Sequence, residues 1–363
     1  MKKYFISLRT QFPNLGDLLI NRALLEELMA NGDVYMDTTG VPKWYLEIML
    51  SSLPCETLKK KTTLTYYLGL FSSLWVKFTN RESLVFLVMK PGGYPATTSW
   101  RIGIRRVLQG LALHSFRSLG IRIVRAPSSQ KNSNGIFWLI DKFRLSSVDC
   151  SLIRDVNSER EMRRMGVSYL SSDDLAIIFF ALPQHSLFKR PFLEHQAKEV
   201  VTISLRKPRR NGEQLAYSKL AALITRQGPE VNFVSQVFYD DRINSEVACK
   251  NGADILVYDG TLDSIDAITK QYQNSEFVIS NRLHVLLLAF LNGAIPIAVV
   301  GEDDSKIEGC FHKLDLEGNV FNWSDVNEIN LSQVRAKWDV EKYNLIVEKS
   351  SFLKKQLAEV FSG

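Results

Sequence analysis

The sequence predicts an α/β protein of two Rossmann-like, doubly wound domains that face a cleft, an architecture of the GT-B type. Its 363 residues exceed what one compact core usually holds. Short apolar runs alternate with longer helical patterns, and Gly or Pro turns separate many of them. Strands that alternate with helices form parallel βαβ units, so each half is expected to hold its own parallel sheet.

The first half of the chain shows this alternation in a less regular form. "KYFISL" predicts a strand and "GDLLINRALLEELMANG" a helix. "SLVFLVM" predicts a strand that ends at the turn "KPGGYP", after which "SWRIGIRRVLQGLALHSFRSLG" predicts a long helix and "IRIVRAP" a strand. Two more strands are expected in "SSVDCSLIRD" and "DLAIIFFAL", on either side of the helix "SEREMRRMG".

The second half has a regular rhythm of strand and helix. The expected strands are "EVVTISL", "VNFVSQVF", "DILVYD", "EFVIS" and "IPIAVV". The expected helices between them are "GEQLAYSKLAALITRQG", "DDRINSEVACKNG", "LDSIDAITKQYQN" and the apolar "HVLLLAFLNG". In such sheets ligands bind beyond the carboxyl ends of the strands, so functional side chains are expected in the loops that follow the strands.

These patterns divide the chain into four parts. An N-terminal Rossmann-like domain is expected over residues 1–182 and a C-terminal one over 200–333. The segment 183–199 has two prolines and mixed polarity, which is typical of a linker. Residues 334–363 are helical in pattern and are expected to cross back to the first domain.

Composition narrows the class of protein. Hydrophobic residues make up 45% and charged residues 23%, as in ordinary globular proteins, and no stretch is apolar enough to span a bilayer. The expected location is therefore the cytoplasm. Four scattered cysteines predict neither disulfides nor a metal site. Residues 1–182 hold 24 Lys and Arg against 15 Asp and Glu, so an anionic partner is one interpretation and plain solubility the other.

Cationic side chains follow two strands of the second domain. "SNRLH" lies between a strand and a helix, and a helix start attracts phosphate or carboxylate. Arg282 would add a fork of donors, and His284 could donate a proton to a departing phosphate. Arg206 is the last residue of "VTISLR". If its strand lies next to the strand that precedes Arg282, the two arginines could clamp a dianion. The alternatives are structural ion pairs and a buried, satisfied histidine.

Three loops of the first domain are candidates for binding an acceptor. In "NLGD", Gly16 allows a tight turn, Asn14 precedes it, and Asp17 can cap the helix or bind hydroxyls. A simple helix cap is the alternative. In "PGGYP", Gly92 and Gly93 would let a ligand approach the backbone and Tyr94 would offer a flat face to a sugar, unless this is a plain turn. "APSSQ" supplies the polar side chains Ser128 and Gln130 at a third strand end.

Taken together, these segments resemble the polysaccharide pyruvyl transferase family, in order and over most of the chain. "NLGD" is similar to its Asn-x-Gly-Asp element, and "IRDVNSEREMRRMGV" with "SSDDLAIIFFAL" to its Arg-Asp-x-x-Ser, Gly and Asp-x-Ala series. "SNRLHVLLLAFLNGAIPIAV", with Lys306 and Gly309 after it, resembles the most distinctive block, Arg-Leu-His and its helix. Pro91 replaces a usual glycine, and Pro-Gln-Ser is scrambled to "PSSQ".

The resemblance implies phosphoenolpyruvate as donor and co-substrate, with no metal or other cofactor. The acceptor would be a glycan or a lipid-linked saccharide, and the product a pyruvate ketal in exopolysaccharide biosynthesis. The donor would bind to Arg206, Arg282, His284 and Lys306. The catalytic residues would be His284, Arg282 and Asp17. The acceptor would bind to Asn14, Gly16, Asp17, Gly92, Gly93, Tyr94, Ser128 and Gln130.

Other functions remain open at this point. The first alternative is a GT-B glycosyltransferase that uses a nucleotide sugar, and the second a non-catalytic anion-binding protein. Nucleic-acid binding is not expected, because the basic residues match no recognisable module. Residues 58–78, "LKKKTTLTYYLGLFSSLWVKF", pair three lysines with an apolar run and are expected to make peripheral contact with an anionic membrane. A buried helix is the alternative.

Overall fold

A computed structural model describes residues 2–51, 53, 55–79, 83–180, 199–208, 213–301, 304–339 and 341–362. The chain forms two compact units. The first unit comprises Met1–Thr10, Ile20–Leu175 and Phe352–Gly363, and the second Gln11–Leu19 and Ala176–Ser351. The predicted linker 183–199 lies outside the described residues except for Glu199. Gln11–Leu19, which contains "NLGD", groups with the second unit.

The first unit is a parallel sheet flanked by helices. Its strands are β1 (Lys2–Ser7), β2 (Asp33–Asp37), β3 (Leu58–Lys61), β4 (Leu84–Met89), β5 (Gly92–Tyr94), β6 (Arg122–Gln130), β7 (Cys150–Ile153) and β8 (Leu170–Ser171). They lie in the order β3-β2-β1-β4-β6-β7-β8, and the short β5 pairs with β6. The helices are α1 (Leu15–Asn31) from Ile20 onwards, α2 (Lys43–Leu50), α3 (Thr63–Thr79), α4 (Trp100–Ser118), α5 (Ile136–Leu145) and α6 (Val156–Met165).

The second unit is a parallel sheet in the order β11-β10-β9-β12-β13-β14. Its strands are β9 (Val200–Ser204), β10 (Glu230–Ser235), β11 (Ile255–Val257), β12 (Phe277–Ser280), β13 (Ile295–Val300) and β14 (Val320–Asn322). Its helices are α7 (Glu213–Arg226), α8 (Asp241–Asn251), α9 (Leu262–Asn274), α10 (Leu283–Leu291), α11 (Ser305–Lys313), α12 (Leu331–Lys337) and the start of α13 (Glu341–Ser362). Counted within the sheet, this order is 3-2-1-4-5-6, which is typical of Rossmann folds.

The apolar central strands explain why this sheet forms. Every residue of β12 and of β13 is buried, because helices cover both faces of a parallel sheet. Helix α10 is likewise buried along its length except for His284 near its start. Burying one large aliphatic side chain contributes roughly 1.5–3 kcal/mol, so these runs place β12 and β13 at the centre of the sheet.

One local prediction for the first half of the chain needs correction, and one segment forms a strand that was not predicted. "DLAIIFFAL" was predicted as a strand, but residues Leu175–Phe180 form a 3₁₀ helix whose side chains are all buried. The lysines of "LKKK" form β3, the edge strand of the first sheet, and α3 follows at Thr63. Lysines are common on edge strands because their charge discourages pairing with another chain.

No helix among the described residues combines the length and apolar character needed to cross a bilayer.

Candidate functional site

The loops that follow β9 and β12 meet at the middle of the second sheet. These two strands are parallel neighbours, and Ser204 is the register partner of Ser280. Arg206 and Arg282 each lie two residues beyond this serine pair. The sheet order reverses between β9 and β12, and a Rossmann-like sheet binds its ligands at such a switch point. We call this region the switch-point site.

Each arginine of the switch-point site is paired with a carboxylate. Nε of Arg282 forms an ion pair with Asp240, whose side chain is only 2% exposed. Nη1 of Arg206 donates to Oδ1 of Asp304 over 3.0 Å. Both guanidinium groups are therefore neutralised by a neighbour and held in fixed directions. They are not the surplus of positive charge that the predicted clamp for a small dianion requires.

Buried polar side chains tie the loops of the switch-point site together. Oδ1 of Asp240 accepts from the backbone N–H of Lys207 over 2.7 Å. Oδ1 of Asn281 accepts from the N–H of Arg206 over 2.7 Å. Asn244 accepts from the N–H of Leu205 and donates to its carbonyl, both over 2.8 Å. These bonds fix the backbone from which the two arginines project.

Sequence reasoning missed four residues of this network: Asp240, Asn244, Asn281 and Asp304. Asn281 and Asp304 each lie in a loop that follows a strand, so their position was a usable signal. The sequence carried no signal for the ion pair of Asp304 with Arg206, because the two residues are 98 positions apart.

Helix α10 begins inside the switch-point site. Arg282 is its N-cap residue but makes no capping hydrogen bond with its side chain. The N–H groups of the first turn carry the positive end of the helix dipole. His284, the second residue of α10, is half-buried.

The "NLGD" loop packs against His284 within the second unit. A Cβ atom built on Gly16 would lie 2.5 Å from both Cβ and Nδ1 of His284, so only glycine fits here. The loop is anchored by the N–H of Leu15, which donates to the carbonyl of Gln236 over 3.1 Å. The close approach of the histidine, rather than a turn of special backbone geometry, explains the glycine.

Asp17 is held by its own loop at the start of α1. Nδ2 of Asn14 donates to Oδ1 of Asp17 over 3.1 Å, and the N–H of Gln11 donates to Oδ2 over 3.2 Å. Oδ1 of Asn14 accepts from the N–H of Gly16 over 3.0 Å. These bonds give the loop a defined shape next to the histidine. The catalytic and acceptor roles of these residues stay predictions.

Lys306 lies at the same edge of the sheet. It is the second residue of α11, follows β13 and is half-buried. Asp304, which pairs with Arg206, immediately precedes this helix, and its Oδ2 accepts from the N–H of Gly301 over 3.3 Å. The role of Lys306 in donor binding stays a prediction.

In the first unit, the structure joins two of the predicted acceptor loops as paired strands. Gly92, Gly93 and Tyr94 form β5, in register with Ser128, Ser129 and Gln130 of β6. The side chains of Ser128 and Gln130 are buried, and the N–H of Gln130 donates to Ser158 over 2.7 Å. These two side chains therefore do not face an acceptor as expected.

The ring of Tyr94 is covered by arginine. The guanidinium carbon of Arg125 lies 4.0 Å from the ring centroid, and the hydroxyl of Tyr94 donates to the carbonyl of Lys90 over 2.9 Å. Burial raises the pKa of this hydroxyl, which Arg125 and Arg144 oppose. Burial also lowers the pKa of Arg125 to about 10. The face of Tyr94 under Arg125 is not open for a sugar to stack on.

Within the described ranges, no group of three or more His, Cys, Asp or Glu side chains is arranged to hold a metal ion.

No protein-family model and no curated protein sequence matches this chain. Solved structures match over nearly all of it. A UDP-GlcNAc 2-epimerase from Neisseria meningitidis, bound to UDP-GlcNAc, is 11% identical with a TM-score of 0.58 and covers 99% of this chain and 100% of its own. The S. aureus MnaA–UDP structure is 12% identical with a TM-score of 0.55, covering 98% and 94%.

A third match comes from a plant. Phytolacca americana UGT2, complexed with UDP-2-fluoro-glucose and pterostilbene, is 10% identical with a TM-score of 0.54 and covers 100% of both chains. At this level of identity the likeness establishes the fold. The predicted fold class is confirmed: the chain is an α/β protein of the GT-B class with two Rossmann-like parallel sheets.

The prediction of pyruvyl transfer from phosphoenolpyruvate is wrong. All three matching structures are complexes with UDP or a UDP-sugar, and one of them is a UDP-GlcNAc 2-epimerase. Membership of the pyruvyl transferase family remains a prediction based on the sequence.

Proposed function

We propose that this chain is a nucleotide-sugar-dependent glycosyltransferase whose second unit binds the donor. The observation that carries this proposal is the switch-point site, where α10 begins beside Arg206 and Arg282 at the reversal of the sheet order. A Rossmann-like sheet binds nucleotides at this position. The UDP and UDP-sugars named for the matching structures support the same class of donor.

The start of α10 is the part of the site that fits a diphosphate. Backbone N–H groups at the start of a helix point at a ligand placed there, and the helix dipole favours negative charge at this end. The paired carboxylates hold Arg282 and Arg206 in fixed directions beside it. A diphosphate would thus be bound by several directed donors instead of by an excess of cations.

The reaction follows from these positions. A hydroxyl of the acceptor attacks C1 of the donor sugar, the bond from C1 to the diphosphate oxygen breaks, and the hydroxyl proton passes to a base. The start of α10 and His284 stabilise the charge on the departing diphosphate, and each well-aimed donor contributes about 3–4 kcal/mol. Asp17, fixed in the loop that contacts His284, is the proposed base.

The proposed acceptor is a glycan or a lipid-linked saccharide, and the proposed location is the cytoplasm, at the inner face of the cell membrane. The exposed surface of the first unit that supports this location is described below.

A panel of nucleotide sugars tests the proposal. Wild-type protein should be stabilised against heat by one nucleoside diphosphate, since a ligand that binds only the folded state stabilises it. It should also release that nucleoside diphosphate from the matching sugar nucleotide when a glycan is added. His284→Asn should lower this release about a hundredfold, whereas Arg242→Gln, an exposed substitution on α8, should not change it.

Two results would contradict the proposal. One is that no nucleoside diphosphate raises the melting temperature and none is released from any sugar nucleotide. The other is release of phosphate from phosphoenolpyruvate in the presence of glycan, with no reaction of the sugar nucleotides.

A further inference from the structure

Helices α3, α4 and α5 expose an unusual number of large apolar side chains. On α3, Leu64, Leu68, Phe71 and Trp75 recur at helical spacing, and Trp75 is 74% exposed. These four positions fall within one narrow arc of the helix, so they form a stripe along its outer surface. A helix of a soluble domain normally turns such a stripe towards the core, and α3 has a second, buried side for that purpose, which includes Tyr66 and Leu70.

Helix α4 carries a second stripe of the same kind. Trp100, Ile104, Leu108 and Leu111 all lie on one side of it and are 51–62% exposed. The opposite side packs closely on α5, and a Cβ atom built on Gly110 would lie 2.8 Å from the ring of Phe143. The outward stripe of α4 is therefore not the side that holds the fold together.

Helix α5 extends this surface. Ile136, Leu139 and Phe143 are exposed along it. We call the outer surface of α3, α4 and α5 the apolar face of the first unit.

The three helices lie on one side of the first sheet. The connections from β3 to β4, from β4 to β6 and from β6 to β7 all run in the same direction across it. Right-handed crossovers place their helices on the same side. The rings of Phe71 on α3 and Phe116 on α4 are 6.1 Å apart, which places α3 beside α4. The three stripes are therefore parts of one surface.

The charges on this surface have a single sign. Neither α3 nor α4 contains an Asp or Glu, and the one acidic residue of α5, Asp141, is fully buried. Exposed cations accompany the apolar side chains, namely Arg101 and Arg105 on α4 and Lys142 on α5. On a helical wheel, the two arginines lie directly beside the stripe of α4.

We infer that the apolar face docks the first unit onto an anionic lipid bilayer. Large apolar side chains with two tryptophans, flanked by cations and free of exposed carboxylates, match the acyl chains and the anionic headgroups of a membrane surface. A second copy of the chain fits less well, because two such faces would bring like charges together. This inference does not depend on the donor or on the reaction of the second unit.

The inference also changes which cations are expected to act at the membrane. Lys59, from the lysine run predicted to contact it, pairs with Asp33 over 2.8 Å within the edge of the sheet. Arg101, Arg105 and Lys142 take that role instead.

Vesicle sedimentation with the full chain tests the inference. Wild-type protein should sediment with mixed phosphatidylcholine and phosphatidylglycerol vesicles, and less with phosphatidylcholine alone or at high salt. Leu108→Glu combined with Leu111→Glu should weaken binding at least about tenfold, because it places charge in the stripe. Arg101→Glu combined with Arg105→Glu should weaken binding to the anionic vesicles about tenfold.

A matched control separates docking from general stickiness. Leu215 on α7 of the second unit is 62% exposed, so Leu215→Glu should bind vesicles like the wild type. All changed residues are exposed, and unchanged melting temperatures will show that the variants fold.

Three outcomes overturn the inference. The first is that the wild type does not sediment with anionic vesicles. The second is that the Leu108 and Leu111 variant binds like the wild type. The third is a lipid-free dimer, seen by analytical ultracentrifugation, that this variant dissociates while vesicle binding is absent, because the face then joins two copies of the chain.

Discussion

At the scale of single residues, Gly16 is the position where one methyl group would disturb the switch-point site most directly. Gly16→Ala places a Cβ atom 2.5 Å from Cβ of His284, which is close to the backbone and cannot rotate away. The loop or the start of α10 must shift, and we expect a loss of about 1–3 kcal/mol in the free energy of unfolding. Urea denaturation measures it. Gly318→Ala, where the added Cβ has no neighbour within 4 Å, is the control and should change stability by less than about 0.5 kcal/mol.

The pair of Asp240 and Arg282 predicts a larger effect. Asp240→Ala leaves a mostly buried guanidinium without its carboxylate and removes the acceptor of the Lys207 N–H. Breaking a buried ion pair from one side costs about 3–5 kcal/mol, so the denaturation midpoint should fall strongly. Arg242→Ala removes one partner of an exposed pair on the neighbouring helix and should leave the midpoint unchanged. Equal midpoints for both variants would show that the Asp240 pair does not support the fold.

The sequence was sufficient to find the side chains at strand ends but not their partners. Arg206, Arg282 and His284 were recognisable because each follows a strand of a predicted parallel sheet. Asp240 and Asp304 were not, because a carboxylate in a loop has many possible roles until the fold brings it to a particular cation. The same reason explains why the sequence suggested a surplus of positive charge at the switch-point site. Two unpaired arginines suggested a clamp for a dianion, and the two carboxylates that neutralise them appear only in three dimensions.

At the scale of elements, periodicity predicted most of the second sheet and less of the first. The strands of the second unit are short apolar runs between clear helices, so length and composition agree. "DLAIIFFAL" was mistaken for a strand because a run that is buried on every side has no periodicity to distinguish strand from helix. β2 and β3 were missed because "DVYMD" is a short apolar run between two aspartates and "LKKK" is polar, and only their pairing with β1 and with each other makes them strands.

The N-terminus of α6 provides a test at this scale. Oδ1 of Asp155 accepts from the N–H of Ser158 over 2.9 Å, and Oδ2 accepts from its hydroxyl over 2.8 Å. Asp155→Ala removes this cap at a buried position, so we expect a loss of about 2 kcal/mol. Asp155→Asn keeps one acceptor oxygen and should lose less. Thermal unfolding monitored by circular dichroism compares the two. If both variants unfold at the same temperature as the wild type, the cap contributes nothing to the stability of α6.

At the scale of the whole molecule, the first unit is assembled from both ends of the chain. Its core includes Leu353, Leu357 and Phe361 from the end of α13, all fully buried. The hydroxyl of Tyr4 donates to the carbonyl of Phe361 over 2.7 Å, and the two rings are 5.7 Å apart. The first unit can therefore complete its core only when the last residues are available, which makes its folding dependent on contacts distant in sequence.

This arrangement predicts that a change near the C-terminus destabilises the sheet formed by the N-terminus. Phe361→Ala leaves a cavity beside Tyr4 and Phe86, and truncating a buried phenylalanine costs about 3–5 kcal/mol. Phe352→Ala, on the same helix but 62% exposed, is the matched control and should have little effect. Hydrogen exchange, measured separately for each peptide of the chain, compares the two variants. Phe361→Ala should accelerate exchange in β1 and β4 much more than in β12 and β13, because only the first unit loses a core residue. Equal acceleration in both sheets would mean that the two units unfold as one, and no acceleration in β1 would mean that the end of α13 does not belong to the core of the first unit.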